Sequence, residues 1–198
     1  MKDLFEEPNG ATNLSPEERQ GLLQTWITHR ADLNNAEAQN ILDGAAWARR
    51  RRGQSAADLL NDEYAKTLHK HMFGDVWGWA GEYRQRETNL GVQPYLIGAE
   101  VRALFENARY WLEYKTYEPD ELAIRVHHHL VSIHPFPNGN GRHTRLMADL
   151  ILTRLSCELF TWGGQSLTAV SELRSTYMAA LKAADNHDIG PLLAFARS

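Results

Sequence analysis

Two helical periods meet across a run broken by proline and glycine, and this junction constrains the fold more than any other stretch of the chain. Leu122, Val126, Leu130 and Ile133 recur at helical spacing up to the junction, and Leu146, Leu150, Ile151 and Leu155 resume that spacing beyond it. Between them stands His134-Pro135-Phe136-Pro137-Asn138-Gly139-Asn140-Gly141-Arg142-His143-Thr144-Arg145. Pro135 disfavours helical conformation at His134, which places the histidine where helix gives way to loop. Gly139 and Gly141 permit backbone conformations that turn successive N–H groups toward one anion, and the helix that follows presents its positive end to the same place.

The residue types in this run carry chemistry as well as shape. An imidazole with an ordinary pKa near 6.5 can take a proton from an attacking hydroxyl at neutral pH. Arg142 and Arg145 are three apart on the first helical turn and share a face, so a polyphosphate can be gripped from several directions. Taken singly, the histidine reads as a core residue and the glycines as an N-capping loop. Joined in twelve residues, they read as a base beside an anion cradle.

The run resembles the signature of the Fic family, His-Pro-Phe-x-(Asp/Glu)-Gly-Asn-Gly-Arg-x-x-Arg, at every fixed position but one, where Asn138 replaces the acid. Within the family the chain is most similar to the mobile mystery protein B group, over a stretch ending near Gly164. The resemblance implies an all-α, Fic-type helical bundle with a short β-hairpin flap. It implies a protein adenylyltransferase that passes AMP from Mg-ATP to a Ser, Thr or Tyr hydroxyl of a target protein. His134 would be the general base. Asn138, Gly139, Asn140, Gly141, Arg142 and Arg145 would bind the nucleotide, with Phe136 anchoring the loop and Arg145 orienting the γ-phosphate. Asn138 would stand in for the Mg2+ acid, and a neutral amide holds that ion less strongly than a carboxylate does.

The same resemblance implies two modes of restraint. Many Fic proteins carry a helix with Ser/Thr-x-x-x-Glu-Gly/Asn whose glutamate pairs with the second signature arginine. Thr28-His29-Arg30-Ala31-Asp32-Leu33-Asn34 comes near that pattern, with Asp32 as the inhibitory candidate, one methylene short. The subgroup is usually encoded beside a small helix-turn-helix protein, which implies a regulator or antitoxin-like partner. Two rival functions remain. One is a Doc-like protein kinase using the γ-phosphate, opposed by Gly141 where Doc-type loops carry lysine. The other is a non-catalytic module that binds nucleotide or a partner, motivated by Asn138.

Composition narrows the setting. With 198 residues, 43% of them hydrophobic, and no linker-like tract, the chain reads as a single domain. The resemblance implies N-terminal helices over 1–53 as the candidate regulatory part, a Fic core over 54–165 with the signature at 134–145, and C-terminal helices over 166–198. Net charge is −4 and Arg49-Arg50-Arg51-Arg52 is the strong basic cluster, which leaves no broad footprint for nucleic acid. Cys157 is the only cysteine, so no internal disulfide forms, and its apolar neighbours make it a small core residue. An acidic N-terminus and the lack of an apolar run near 18 residues predict a cytoplasmic protein away from membranes. His127, His128 and His129 are adjacent and diverge by about 100° on a helix, so they do not converge on one metal.

Capping signals divide the rest. Ser15-Pro16-Glu17-Glu18 predicts a helix from Pro16 to about His29, Asn35 caps one reaching Arg51, and Ser55 opens one through Met72 that Gly74 ends. Between Trp77 and Ile97 the helical period vanishes, and Thr88, Asn89, Leu90 and Gly91 fall where a target-binding flap is expected. Helices are expected over Glu100–Tyr114, Pro119–Ile133 and Gly141–Cys157. Two more follow, one capped by Thr168 or Ser171 and running to Ala184, the other over Ile189–Ala196.

Overall fold

The computed structural model of the chain describes residues 4–5, 13–51, 53–164 and 170–198. Nine α-helices occupy these residues: α1 (Pro16–Arg19), α2 (Arg30–Arg50), α3 (Ala56–Leu59), α4 (Asp62–Phe73), α5 (Ile97–Glu113), α6 (Pro119–Ile133), α7 (Asn140–Arg154), α8 (Val170–Asp185) and α9 (Gly190–Arg197). The expected all-α bundle is what forms. The only β pairing among them is an isolated antiparallel bridge between Leu22 and Trp77.

Helix α7 lies at the centre because it is apolar on most of its circumference. Leu146, Met147, Ala148, Leu150, Ile151 and Leu152 are all buried, and a helix apolar all round has nowhere to go but the core. It packs along α6, which buries Leu122, Val126, Leu130 and Ile133, while α2 packs on α4 and α8 on α9. The two helices flanking the signature run are thus fixed to each other, and the run between them is held at both ends.

Two expected helices are shorter than their sequence patterns. The first stops at Arg19 because tertiary partners take the groups that would continue it. The Trp79 indole donates to the Glu18 carbonyl (3.0 Å), Leu23 N–H donates to Val76, and Gly78 N–H donates to Gly21 (2.9 and 2.8 Å). The second is split into α3 and α4. Asn61 turns out of helical conformation and its side chain accepts from Tyr64 N–H at 2.8 Å, starting a new N-terminus inside the apolar period. Helix α2 starts at Arg30, a turn and a half before the Asn35 cap. Of the expected cap positions Thr168 lies outside the described residues, as does Arg52 of the basic cluster.

The flap segment keeps its place but its arms do not pair with each other as a hairpin. Both dock instead on the backbone at the end of α6: Arg84 N–H donates to Pro135 (2.9 Å) and Val92 N–H to Ile133 (3.2 Å). Cys157 packs partly buried against the core, as expected.

Candidate active site

His134 ends α6 in the left-handed region, at φ 54° and ψ 61°, with its N–H donating to Leu130 at 3.0 Å. Few side chains occupy this region without reason, and here the following proline closes off the helical alternative. The residue is buried. Burial pulls its pKa down to about 4, against the opposing effect of a hydrogen bond at the Val131 backbone, and the Arg84 charge adds to the lowering. At neutral pH the ring is therefore unprotonated and able to accept a proton.

The loop beyond it is clamped from inside. Phe136 is fully buried and its ring stacks on His69, with centroids 3.8 Å apart. The Asn140 amide accepts from Phe136 N–H (2.9 Å) and donates to Phe136 C=O (2.8 Å). Its side chain thus faces the loop's own backbone, and what Asn140 offers a ligand is its place at the start of α7. His69 accepts from Gly81 N–H at Nδ1 (3.0 Å), which fixes the proton on Nε2, and that nitrogen donates to the Asn138 carbonyl (3.0 Å). Gly139 sits at φ +80°, and a Cβ there would lie 2.5 Å from the Phe73 ring. Only glycine fits both the conformation and the space.

The two signature arginines are held differently. Arg142 Nη1 donates to Glu37 Oε2 at 2.7 Å and Nη2 reaches Asn138 Oδ1 at 3.3 Å. Glu37 is buried on α2, and its other oxygen accepts from the Trp77 indole at 2.7 Å. Arg145 Nε donates to the Gly141 carbonyl at 3.1 Å, with its guanidinium 5.5 Å from the Tyr177 ring centroid. Asp32, the expected inhibitory acid, pairs with His29 at 3.5 Å. Because α2 begins at Arg30, Asp32 falls in its first turn, whereas Glu37 lies five residues on, about 140° round the helix, and faces the signature. The acid that reaches the site is Glu37, and it reaches the first arginine.

These groups open on one cleft of about 730 Å³, lined by His134, the loop from Asn138 to Arg142, Arg145 and Glu37, and closed by α8 residues including Tyr177. Leu90 and Gly91 of the flap line it too, while Thr88 turns its hydroxyl to the Leu90 carbonyl and Asn89 is exposed. The three adjacent histidines diverge: His127 meets the Tyr177 hydroxyl at 3.1 Å, His128 pairs with Asp185 at 2.8 Å, and His129 lies toward Trp111. No group of three or more His, Cys, Asp or Glu side chains able to hold a metal occurs among the described residues. Asn138 Oδ1 accepts from Gly139 N–H at 2.6 Å and faces a guanidinium, so it is a weak ligand for a hard cation. A Mg2+ here would take most of its oxygens from phosphate and water.

Glu37, His69, Arg84 and Tyr177 escaped the sequence reading. Each works through a contact at least 32 residues away in the chain, and none stands in a run that signals it.

A helical domain whose central helix opens from a glycine-hinged loop, with a buried histidine on one side and two arginines on the other, defines the class. Residues 59–152 match the Fic/DOC family. The match spans a little under half of the chain. Over 132 residues, or 65% of its length, it is 30% identical to protein adenylyltransferase Fic of Drosophila virilis and 31% identical to that of Drosophila willistoni. It spans about a quarter of the length of these relatives (26% and 25%). In fold it is similar to BepC from Bartonella tribocorum, solved with bound AMPPNP (TM-score 0.68, 15% identity, 92% of this chain and 97% of that one). A Fic-domain signaling protein from Bacteroides thetaiotaomicron is similar over 92% of this chain and 86% of its own (TM-score 0.65, 20% identity). No helix among the described residues is long and apolar enough to cross a membrane.

Proposed function

We propose that this chain transfers AMP from ATP to a hydroxyl of a target protein. The observation that carries the reading is that the buried His134 lines the same cleft as the glycine-hinged start of α7 and both arginines. In the step, His134 takes the proton of a Ser, Thr or Tyr hydroxyl, whose oxygen forms a bond to the α-phosphorus while the bond to the bridging oxygen breaks. Pyrophosphate leaves. The N–H groups at the start of α7 and the Arg142 and Arg145 guanidinium groups hold the charge that develops on the phosphates. A Mg2+ bound with ATP would neutralise phosphate charge, with the Asn138 amide oxygen as the signature side chain able to reach it. The names of the Drosophila relatives and the AMPPNP bound to BepC support the choice of chemistry and nucleotide.

Glu37 sets the resting state in this reading. Its carboxylate holds Arg142 through a charge-assisted bond, so the outer phosphates must displace an acid before that arginine can grip them. Removing it should raise both nucleotide affinity and transfer.

The test is label transfer in lysate from ATP marked on the α-phosphate, set against ATP marked on the γ-phosphate, with wild type, Glu37→Ala and His134→Ala. The reading requires protein labelled from the α-position alone, more strongly with Glu37→Ala and absent with His134→Ala. Label from the γ-position alone would make the chain a kinase. Nucleotide binding without transfer from any variant would make it a binding module, the outcome to which Asn138 points.

A further inference from the structure

We propose that Arg84 is a positioning residue that locks the outer arm of the flap and the left-handed turn at His134 into one unit. Arg84 is 1% exposed, and the partners its guanidinium contacts at hydrogen-bonding distance are all main-chain carbonyls. Nε donates to His134 at 2.7 Å, Nη2 donates to Val92 and more weakly to Ile133 at 3.4 Å, and Nη1 donates to Arg86 at 2.8 Å. One planar cation therefore ties the last carbonyls of α6, the histidine itself and the far arm of the flap.

The physics favours arginine at this point. The C-terminus of α6 leaves carbonyls without helical partners and carries the negative end of the helix dipole, which a buried cation with several fixed donors can satisfy. A left-handed turn at a non-glycine residue is strained, so something must hold it. Lysine carries the charge but not the fork, and cannot reach separate carbonyls on two segments from one rigid group. The flap is fitted to the same point from its own side. Gly91 has φ +97°, and a Cβ there would lie 2.6 Å from both Arg84 Nη2 and His134 Cβ, and 2.7 Å from the Ile133 carbonyl oxygen. Whatever seats along the flap thus bears on His134 through Arg84.

The inference takes His134 as the base, as proposed above, but its first test needs no transfer reaction. In full-length protein with isotope-labelled histidine, the ring signals of His134 and the buried His143 are followed by NMR through a pH titration, with His134→Ala for assignment. Three variants are compared with wild type: Arg84→Met, Arg84→Lys and Gly91→Ala. In Arg84→Met the His134 midpoint should rise by about half a unit or more, because a nearby positive charge and part of the burial are both lost. His143 should stay where it is, which separates local release from unfolding. Gly91→Ala should move the His134 ring signals with Arg84 intact. Once transfer is measurable, Arg84→Lys should lower kcat about tenfold or more with the nucleotide KM little changed, since the charge stays and the geometry is lost. A folded Arg84→Met protein with an unmoved His134 midpoint would overturn the proposal. If Arg84→Met does not fold, Gly91→Ala decides, and unchanged His134 signals in that variant would overturn it as well. Failure of AMP transfer would remove the function proposed above and leave the titration result standing.

Discussion

The side chains closest to the proposed chemistry are held by main-chain atoms far more than by one another. Asn140 spends its amide on Phe136, His69 spends both nitrogens on Gly81 and Asn138, and Arg145 turns Nε to Gly141. This makes the loop intolerant of small changes. Gly139→Ala would add a methyl group 2.5 Å from the Phe73 ring at a φ that favours glycine. It should destabilise the fold by about 3 kcal/mol, from the backbone cost plus overpacking, read as a lower midpoint in urea. Such residues also mark the reach of sequence reasoning. His134, the glycines and the arginines were legible because they stand in one run. Glu37 was not, because its meeting with Arg142 depends on where α2 begins, and that start at His29 has no side-chain cap to announce it.

At the scale of elements, the flanks of the signature were readable in full, whereas in the N-terminal half the caps at Ser15, Ser55 and Gly74 were readable and the extents of the helices were not. Helices α6 and α7 carry a strong apolar period and contact each other directly, so local pattern and tertiary packing agree. The split between α3 and α4 shows the opposite case, in which one asparagine overrides an apolar period that runs through it. Asn61→Ala removes the acceptor for Tyr64 N–H and should cost about 1 kcal/mol, measurable as a small fall in thermal midpoint with the flap and cleft unaltered. The flap differs from a hairpin for a comparable reason. Its main-chain donors find better acceptors at the end of α6, where carbonyls are left over, than on the opposite arm.

For the whole molecule, the buried histidines set the response to acid. Burial lowers His127 to about 3 and His134 and His143 to about 4, and pulls His69 well below the usual value near 6.5. Between these values and 6.5 the unfolded chain binds more protons than the folded one, so stability is full above pH 6.5 and is lost as pH falls toward 4. Asp149, raised by burial to about 6, works the other way and favours the fold at low pH, but it is one group against four. Thermal midpoints followed by circular dichroism should therefore drop by on the order of 10 °C between pH 7 and pH 4.5. Transfer limited only by the protonation of His134 should stay flat down to about pH 5 in the temperature range where the fold survives.

The buried carboxylate of Glu37 joins two groups that absorb different kinds of information, the Arg142 guanidinium on one oxygen and the Trp77 indole on the other. Drawing Arg142 onto phosphate would leave the Trp77 indole bonded to a carboxylate that has lost its counter-charge. Nucleotide binding should therefore shift tryptophan emission in wild type and leave it unmoved in Glu37→Ala, an occupancy signal that needs no label.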